Sequence, residues 1–275
     1  MRTFSIVAVL MIAALACIEA QSLNQREPGI PRLKDGRPNL TAPTPRLNGK
    51  PDLSGVWQAE RTPVSEFARV LGPGFSANQP DYNDITKHVL NVFWDVPPAE
   101  WPLRPEAAAI TQERQKSGGE FPTTYCRPGS IPASMLILDF KIVQAPRQIV
   151  MLAGNGDPAR QIYIDGRSLP KDPEPSWMGS SVGHWQGETL VVETIGLKDS
   201  GWLDGFGHPR SEGMRITERY RRRDFGHMDL ELTFDDPKYY TRPFGFKTTL
   251  TLMPDTDVLE YVCMENQRRY RPPAP

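Results

Sequence analysis

From Phe140 onward the chain is cut into short runs rich in Val, Ile, Thr and aromatic residues, each bounded by Gly, Asp, Asn or Pro: KIVQAP, RQIVMLAG, RQIYIDG, SSVGHW, ETLVVETIG, MRITERYRRR, MDLELTF, KTTLTLM and DVLEYVCM. Branched and aromatic side chains fit a pleated, half-buried surface, and the residues between them supply turn conformations. With SGVWQAE, which begins a strand after Asp52, about ten strands are predicted, and their spacing favours an antiparallel barrel or sandwich. One helix stands out in RPEAAAITQERQKSGG. Pro105 suits the first helical position, Glu106 the positive helix end, and Gly118 and Gly119 stop the run. It belongs to a Pro-broken loop and helix insertion at about 61–135 and is expected to lie outside the sheet.

The N-terminus has a basic start at Arg2, an apolar run from Phe4 to Cys17 and a small-residue exit. That pattern predicts a secretory signal peptide over residues 1–20, hence a periplasmic or secreted protein. Two exits compete: cleavage after Ala20, or lipidation of Cys17 in ALAC, which resembles a lipobox with its leucine one place out of position. The run is too short for a comfortable membrane span, so lipid on Cys17 is the only membrane attachment expected. Residues 21–51 are Pro-rich and contain a tandem echo, PRLKDGRPNLTAP then PRLNGKPDLSGV. Two copies do not make a solenoid, and an extended strap with two similar turns is predicted ahead of a single domain over 52–275. The formal charge is -1, with 32 basic and 33 acidic side chains well mixed, which leaves no sustained positive field for a nucleic acid or an anionic membrane.

Once Cys17 leaves with the leader or carries lipid, Cys126 and Cys263 remain in an oxidising compartment, and such a pair predicts a disulfide. Closing so long a loop is worth about 4 to 5 kcal/mol as an upper estimate. It would pin the entry segment to the last strand.

In GHWQGETLVVETIG a two-residue loop at Gln186-Gly187 would pair Trp185 with Glu188 and His184 with Thr189. Trp185, Leu190 and Val192 then share one face, and Val182, His184, Thr189, Val191 and Glu193 the other. His184 and Glu193 would be about 13 Å apart, too far for a direct acid–base pair. A core Trp face with His184 and Glu193 on a half-wet face is one reading; the other is one of them lining a cavity, with His184 and Trp185 as the ligand-binding candidates. In MRITERY, Met214, Ile216, Glu218 and Tyr220 fall on the apolar side. A carboxylate there must be paired or protonated. Glu218 is therefore either half of a buried ion pair with an inward Arg, or a ligand-contacting, acid–base carboxylate with Tyr220 beside it.

Two loops carry further candidates. DDPKYYTRP turns at Asp236-Pro237 and is expected to send Tyr239, Tyr240 and Arg242 into the next strand, as surface aromatics or as ligand contacts. DGFGHPRSE reads as a mobile rim over a barrel mouth, carrying His208, Arg210 and Ser211, with His208 solvent-exposed or catalytic. Asp165 and Arg167 in IDGRSLP fit a hairpin end. The sequence has no Gly-x-Ser-x-Gly, no phosphate-binding loop, no His-Glu-x-x-His and no cysteine cluster, and its four histidines lack ligand spacing, so no cofactor or metal is expected.

From Asp52 on, the runs GKPDLSGVW, GHWQGETLVVET, ERYRR, DDPKYYTRP and EYVCMEN resemble those of a large, mostly uncharacterised family of exported bacterial proteins. The resemblance covers most of the mature chain and implies a lipocalin-like β-barrel; SGVWQ also looks like the Gly-x-Trp opening of lipocalins. It implies no reaction. Two functions fit: binding of a small, largely apolar molecule inside the barrel, or cofactor-free acid–base catalysis, such as isomerisation, dehydration or cyclisation, with Glu218 moving the proton and His208 or a tyrosine polarising the substrate.

Overall fold

A computed structural model describes residues 26–63, 65–66, 86–116 and 122–263. Residues 1–20, expected as a leader and including Cys17, the expected helix stop at Gly118 and Gly119, and the chain beyond Cys263 lie outside the described residues. The fold is a closed nine-stranded barrel whose neighbours follow chain order. Its strands are β3 (Gly55–Ala59), β4 (Phe140–Gln144), β5 (Gln148–Ala153), β6 (Arg160–Tyr163), β7 (Ser180–Gln186), β8 (Thr189–Ile195), β9 (Arg215–Arg222), β10 (His227–Asp235) and β11 (Phe244–Leu252). β11 closes the ring on β3 through Leu250↔Ala59 and Leu252↔Trp57. β1 (Arg46–Leu47) and β2 (Lys50–Pro51) form a separate two-residue ribbon.

A ring with an odd number of strands cannot alternate direction all the way round. One neighbouring pair has to be parallel, and it is β6 with β7, joined by only two residue pairs. The expected strand at Asp257–Cys263 is absent, which is why nine strands close the ring. Asp255 at φ 62° turns the chain out of the sheet, and Asp257 is held by Lys141 at 2.6 Å. The C-terminal segment instead straps across the outside of the barrel to Cys263. There it forms the expected disulfide with Cys126, at a Cα–Cα distance of 5.6 Å.

The β7–β8 loop is Gly187-Glu188, one residue later than expected, so Trp185 faces Leu190 and His184 faces Val191. Each pair shifts by one residue on both strands, so the face assignment is unchanged. Gly187 sits at φ 60°, the first-position glycine of a type II′ turn. Inward residues alternate along every long strand. Trp57, Val192, Ile216, Met228, Leu230 and Phe234 have no accessible surface, so no water-sized void touches them. The interior expected to hold an apolar ligand is a packed core at these levels, within the range of strand numbers that side chains alone can fill.

Short turns at 145–147, 187–188 and 223–226 lie at one end of the barrel, and the long connections 60–139, 196–214 and 236–243 at the other. The 60–139 insertion carries α1 (Lys87–Leu90), α2 (Pro105–Lys116) and α3 (Ala133–Leu136). It is clasped to the 196–214 loop by Gly205 N–H to Val89 O at 2.8 Å and Phe206 N–H to Leu90 O at 2.9 Å. Asp204 adds a side-chain clasp, accepting from Val92 N at 2.8 Å. His88 on α1 is buried, stacks on Phe246 at 4.0 Å and meets Asp95 at 3.1 Å.

Burial keeps the His88 imidazole neutral and lowers its pKa to about 4 despite the Asp95 carboxylate. The unfolded chain takes up this proton below about pH 6.5, while the folded chain refuses it until about pH 4. This contribution is complete above pH 6.5 and shrinks by on the order of 3 kcal/mol as the pH falls through that window. Chemical denaturation at stepped pH should show a shallower slope for His88→Gln; an unchanged slope would refute the assignment. Replacing Cys126 and Cys263 by Ser should lower stability by about 5 kcal/mol at most while leaving far-UV dichroism intact.

Candidate functional site

Parallel neighbours cannot share a hairpin, because the chain must return to the starting end before the second strand begins. Residues 164–179 make that return on the outside of the barrel, kept extended by Pro170, Pro173 and Pro175. Asp165 and Arg167 therefore lie in a crossover and not at the hairpin end the sequence suggested. The returning chain is anchored by Ser176 N–H to Gly196 O and Lys198 N–H to Ser176 O, both 3.0 Å, and by the Ser130 hydroxyl donating to the Trp177 carbonyl. Gly179 at φ 64° then turns it into β7; a Cβ there would sit 2.6 Å from Ile195 O.

Between this crossover and the β6–β7 seam lies a cleft of about 540 Å³, lined by Gln161, Tyr163, Arg167, Ser176, Trp177 and Ser181 together with Pro158, Pro170 and Met178. The Arg167 guanidinium lies 3.7 Å above the Tyr163 ring, fixed by Asp165 at 2.7 Å. The Lys198 ammonium is 5.7 Å from the Trp177 ring. A cation thus lies over each aromatic wall.

Ser181 connects the cleft to the barrel interior. It lines the cleft, yet its hydroxyl accepts from Arg160 Nη2 at 3.2 Å and lies 2.9 Å from Thr194 Oγ1. Arg160 also donates to Thr194 at 2.8 Å and forks onto Glu218, with Nη1 2.9 Å from Oε1 and Nη2 on Oε2. The Tyr220 hydroxyl donates to Glu218 Oε1 at 2.7 Å. Burial alone would depress the Arg160 pKa, but the charge and hydrogen bonds of Glu218 outweigh it and raise it. Burial and the same carboxylate push the Tyr220 phenol well above its usual value. Four consecutive strands, β6 to β9, are laced from inside where the backbone ladder is thinnest.

Glu218 is the inward carboxylate the sequence indicated, with 0 % exposure and a guanidinium partner. In this state it meets no space a substrate could enter. The DGFGHPRSE loop is a correction. His208, Arg210 and Asp204 are fully buried, and Ser211 is buried on Asp236, because the insertion covers a loop the sequence placed at a solvent-facing rim. His208 Nδ1 is 2.6 Å from Asp204 Oδ2, and its ring is set edge-on to Phe93 and Trp101. Tyr239 and Tyr240 are also buried, in the turn before β11 and not within it. The Tyr240 hydroxyl donates to Pro209 O at 2.6 Å, and the exposed Arg242 reaches Glu100 O at 3.3 Å. His184 is exposed beside Gln186, and Trp185 is half-buried against the core. None of His184, Trp185, Tyr220, Tyr239 and Arg242 lines the cleft.

Arg160 is the inward Arg that a paired Glu218 requires. The alternation in RQIYIDG puts Arg160 on the face of Ile162, and that signal was available. Tyr163, Trp177 and Ser181 were missed as a group. Their cue was GRSLPKDPEPSWMG, too long and Pro-rich for a hairpin.

Replacing Glu218 by Gln should leave Arg160 buried and under-compensated, lowering stability by about 3 kcal/mol or more. A Glu218→Leu, Arg160→Met double variant should recover much of that loss. Thermal and denaturant unfolding decide it; a neutral Glu218→Gln variant would overturn the assignment.

No protein-family profile matches this chain, and no curated protein or solved structure does. Its function has to come from its own residues.

Proposed function

We propose that this is an exported protein that binds a small, largely apolar molecule, and that the ligand sits in the cleft over the β6–β7 seam and not inside the barrel. The observation that carries this reading is the cleft itself: a concave space of about 540 Å³ with two aromatic side chains and a few polar groups, the usual make-up of a small-molecule site. The packed interior supports placing the ligand outside it. The Cys126–Cys263 disulfide and the leader-like N-terminus support export. Catalysis by Glu218 is the weaker alternative, because a carboxylate locked to Arg160 and shut off from solvent is poorly placed to exchange a proton.

Mass spectrometry of solvent extracts from protein purified out of its native host tests the proposal. A small molecule should be recovered from the wild type and lost from Trp177→Ala, at an unchanged unfolding midpoint. Empty extracts, with no saturable binding of any apolar probe, would overturn it.

A further inference from the structure

The charges around the cleft narrow the class of ligand, given the reading that the cleft is the binding site. No acidic side chain lines it. Arg167 does, and its Nε and Nη2 are held by Asp165 at 3.0 and 2.7 Å, while Nη1 makes no hydrogen bond among the described residues. Asp165 is also paired with Arg147 at 3.3 Å, so one carboxylate serves two guanidiniums and one positive charge is left over. Lys198 stands over Trp177 without an ion-pair partner among the described residues.

A third cation lies behind the same wall. Arg210 is fully buried and bonds only neutral acceptors: Lys198 O at 2.9 Å, Ser130 Oγ at 2.9 Å and Ile131 O at 3.3 Å. Its Nη2 has no partner. Ser130 passes the contact on to the Trp177 carbonyl, so this charge, hydrogen-bonded to no carboxylate and balanced only at a distance by Asp199, is two hydrogen bonds from the cleft wall. The nearby acidic residues do not cancel it inside the cleft. Asp172, Glu174 and Asp199 are exposed, as Lys198 is, and none of the four lines the cleft, so Arg167 is the charged side chain on its wall; Glu218 is already neutralised by Arg160.

We propose that the cleft takes a small organic anion: a flat aromatic or conjugated body that stacks on Trp177 and on the Arg167 guanidinium, with a carboxylate or sulfonate held by Arg167 and attracted at longer range by Lys198, which lies over Trp177 outside the lining. A guanidinium already laid on Tyr163 and fixed by Asp165 offers a planar face and free N–H donors at little entropic cost. The anion would relieve the excess positive charge that the fold has built around Trp177.

Two naphthalene dyes of similar shape separate charge from hydrophobicity: anilinonaphthalene sulfonate, which is anionic, and phenylnaphthylamine, which is neutral. Fluorescence titration should show the sulfonate bound at least about tenfold more tightly. That gap should shrink with added salt and in Arg167→Gln and Lys198→Gln, while Trp177→Ala weakens both dyes. Equal affinity for the two dyes, with both weakened by Trp177→Ala, would overturn the anion and leave the cleft reading standing. Indifference of both dyes to Trp177→Ala would remove the cleft reading, and the anion with it.

Discussion

Strand parity is the constraint on which the rest of this structure depends. Nine strands closed in chain order admit no fully antiparallel solution, so one pair of neighbours runs in the same direction, here β6 and β7. A parallel pair needs a crossover, and the crossover must run over the barrel's surface because the core fills the inside. The external cleft follows from that geometry. A ten-stranded ring of the same pattern would alternate throughout and would have no obligatory crossover.

Parity also locates the weakest part of the wall. Two residue pairs join β6 to β7, against seven between β7 and β8, so the seam contributes little backbone hydrogen bonding. Side chains make up the difference. Arg160 reaches Ser181 on β7, Thr194 on β8 and Glu218 on β9, and Tyr220 completes the coordination of the carboxylate. Burying two charges is costly, and this pair is tolerable because each end of the guanidinium and both carboxylate oxygens are hydrogen-bonded. An apolar substitute could fill the volume, but it would not tie four strands to one another in a fixed register.

The strand-rich half was largely legible in the sequence, because period-2 alternation is a local property. It placed Ile216, Glu218 and Tyr220 inside on β9, as they are found. The disulfide was legible from cysteine number and compartment. Three things were not, and each depends on contacts distant in sequence. Asp257–Cys263 has strand composition, but Asp255 and the Lys141 ion pair carry it out of the sheet. The loop around His208 is polar and Gly-rich like a surface rim, and only the insertion that Asp204 grips from above buries it. The parallel seam was hidden because direction depends on the total strand count, which no single segment reveals.

Stability and the proposed recognition site meet at Ser181 and Ser130. Ser181 belongs to the cleft and to the Arg160 network, while Ser130 ties the backbone of Trp177 to Arg210. Arg160 and Arg210, two of the buried arginines, therefore divide the work. Arg160, neutralised by Glu218, holds the wall closed behind the cleft. Arg210 has no carboxylate; burial and the nearby Arg114 lower its pKa to about 10, which still leaves it charged at neutral pH. A charge kept in the interior without a counterion costs stability, and here it lies against the segment that forms the cleft's aromatic wall. Placing it there puts an electrostatic cost of folding next to the surface where an anion could offset it.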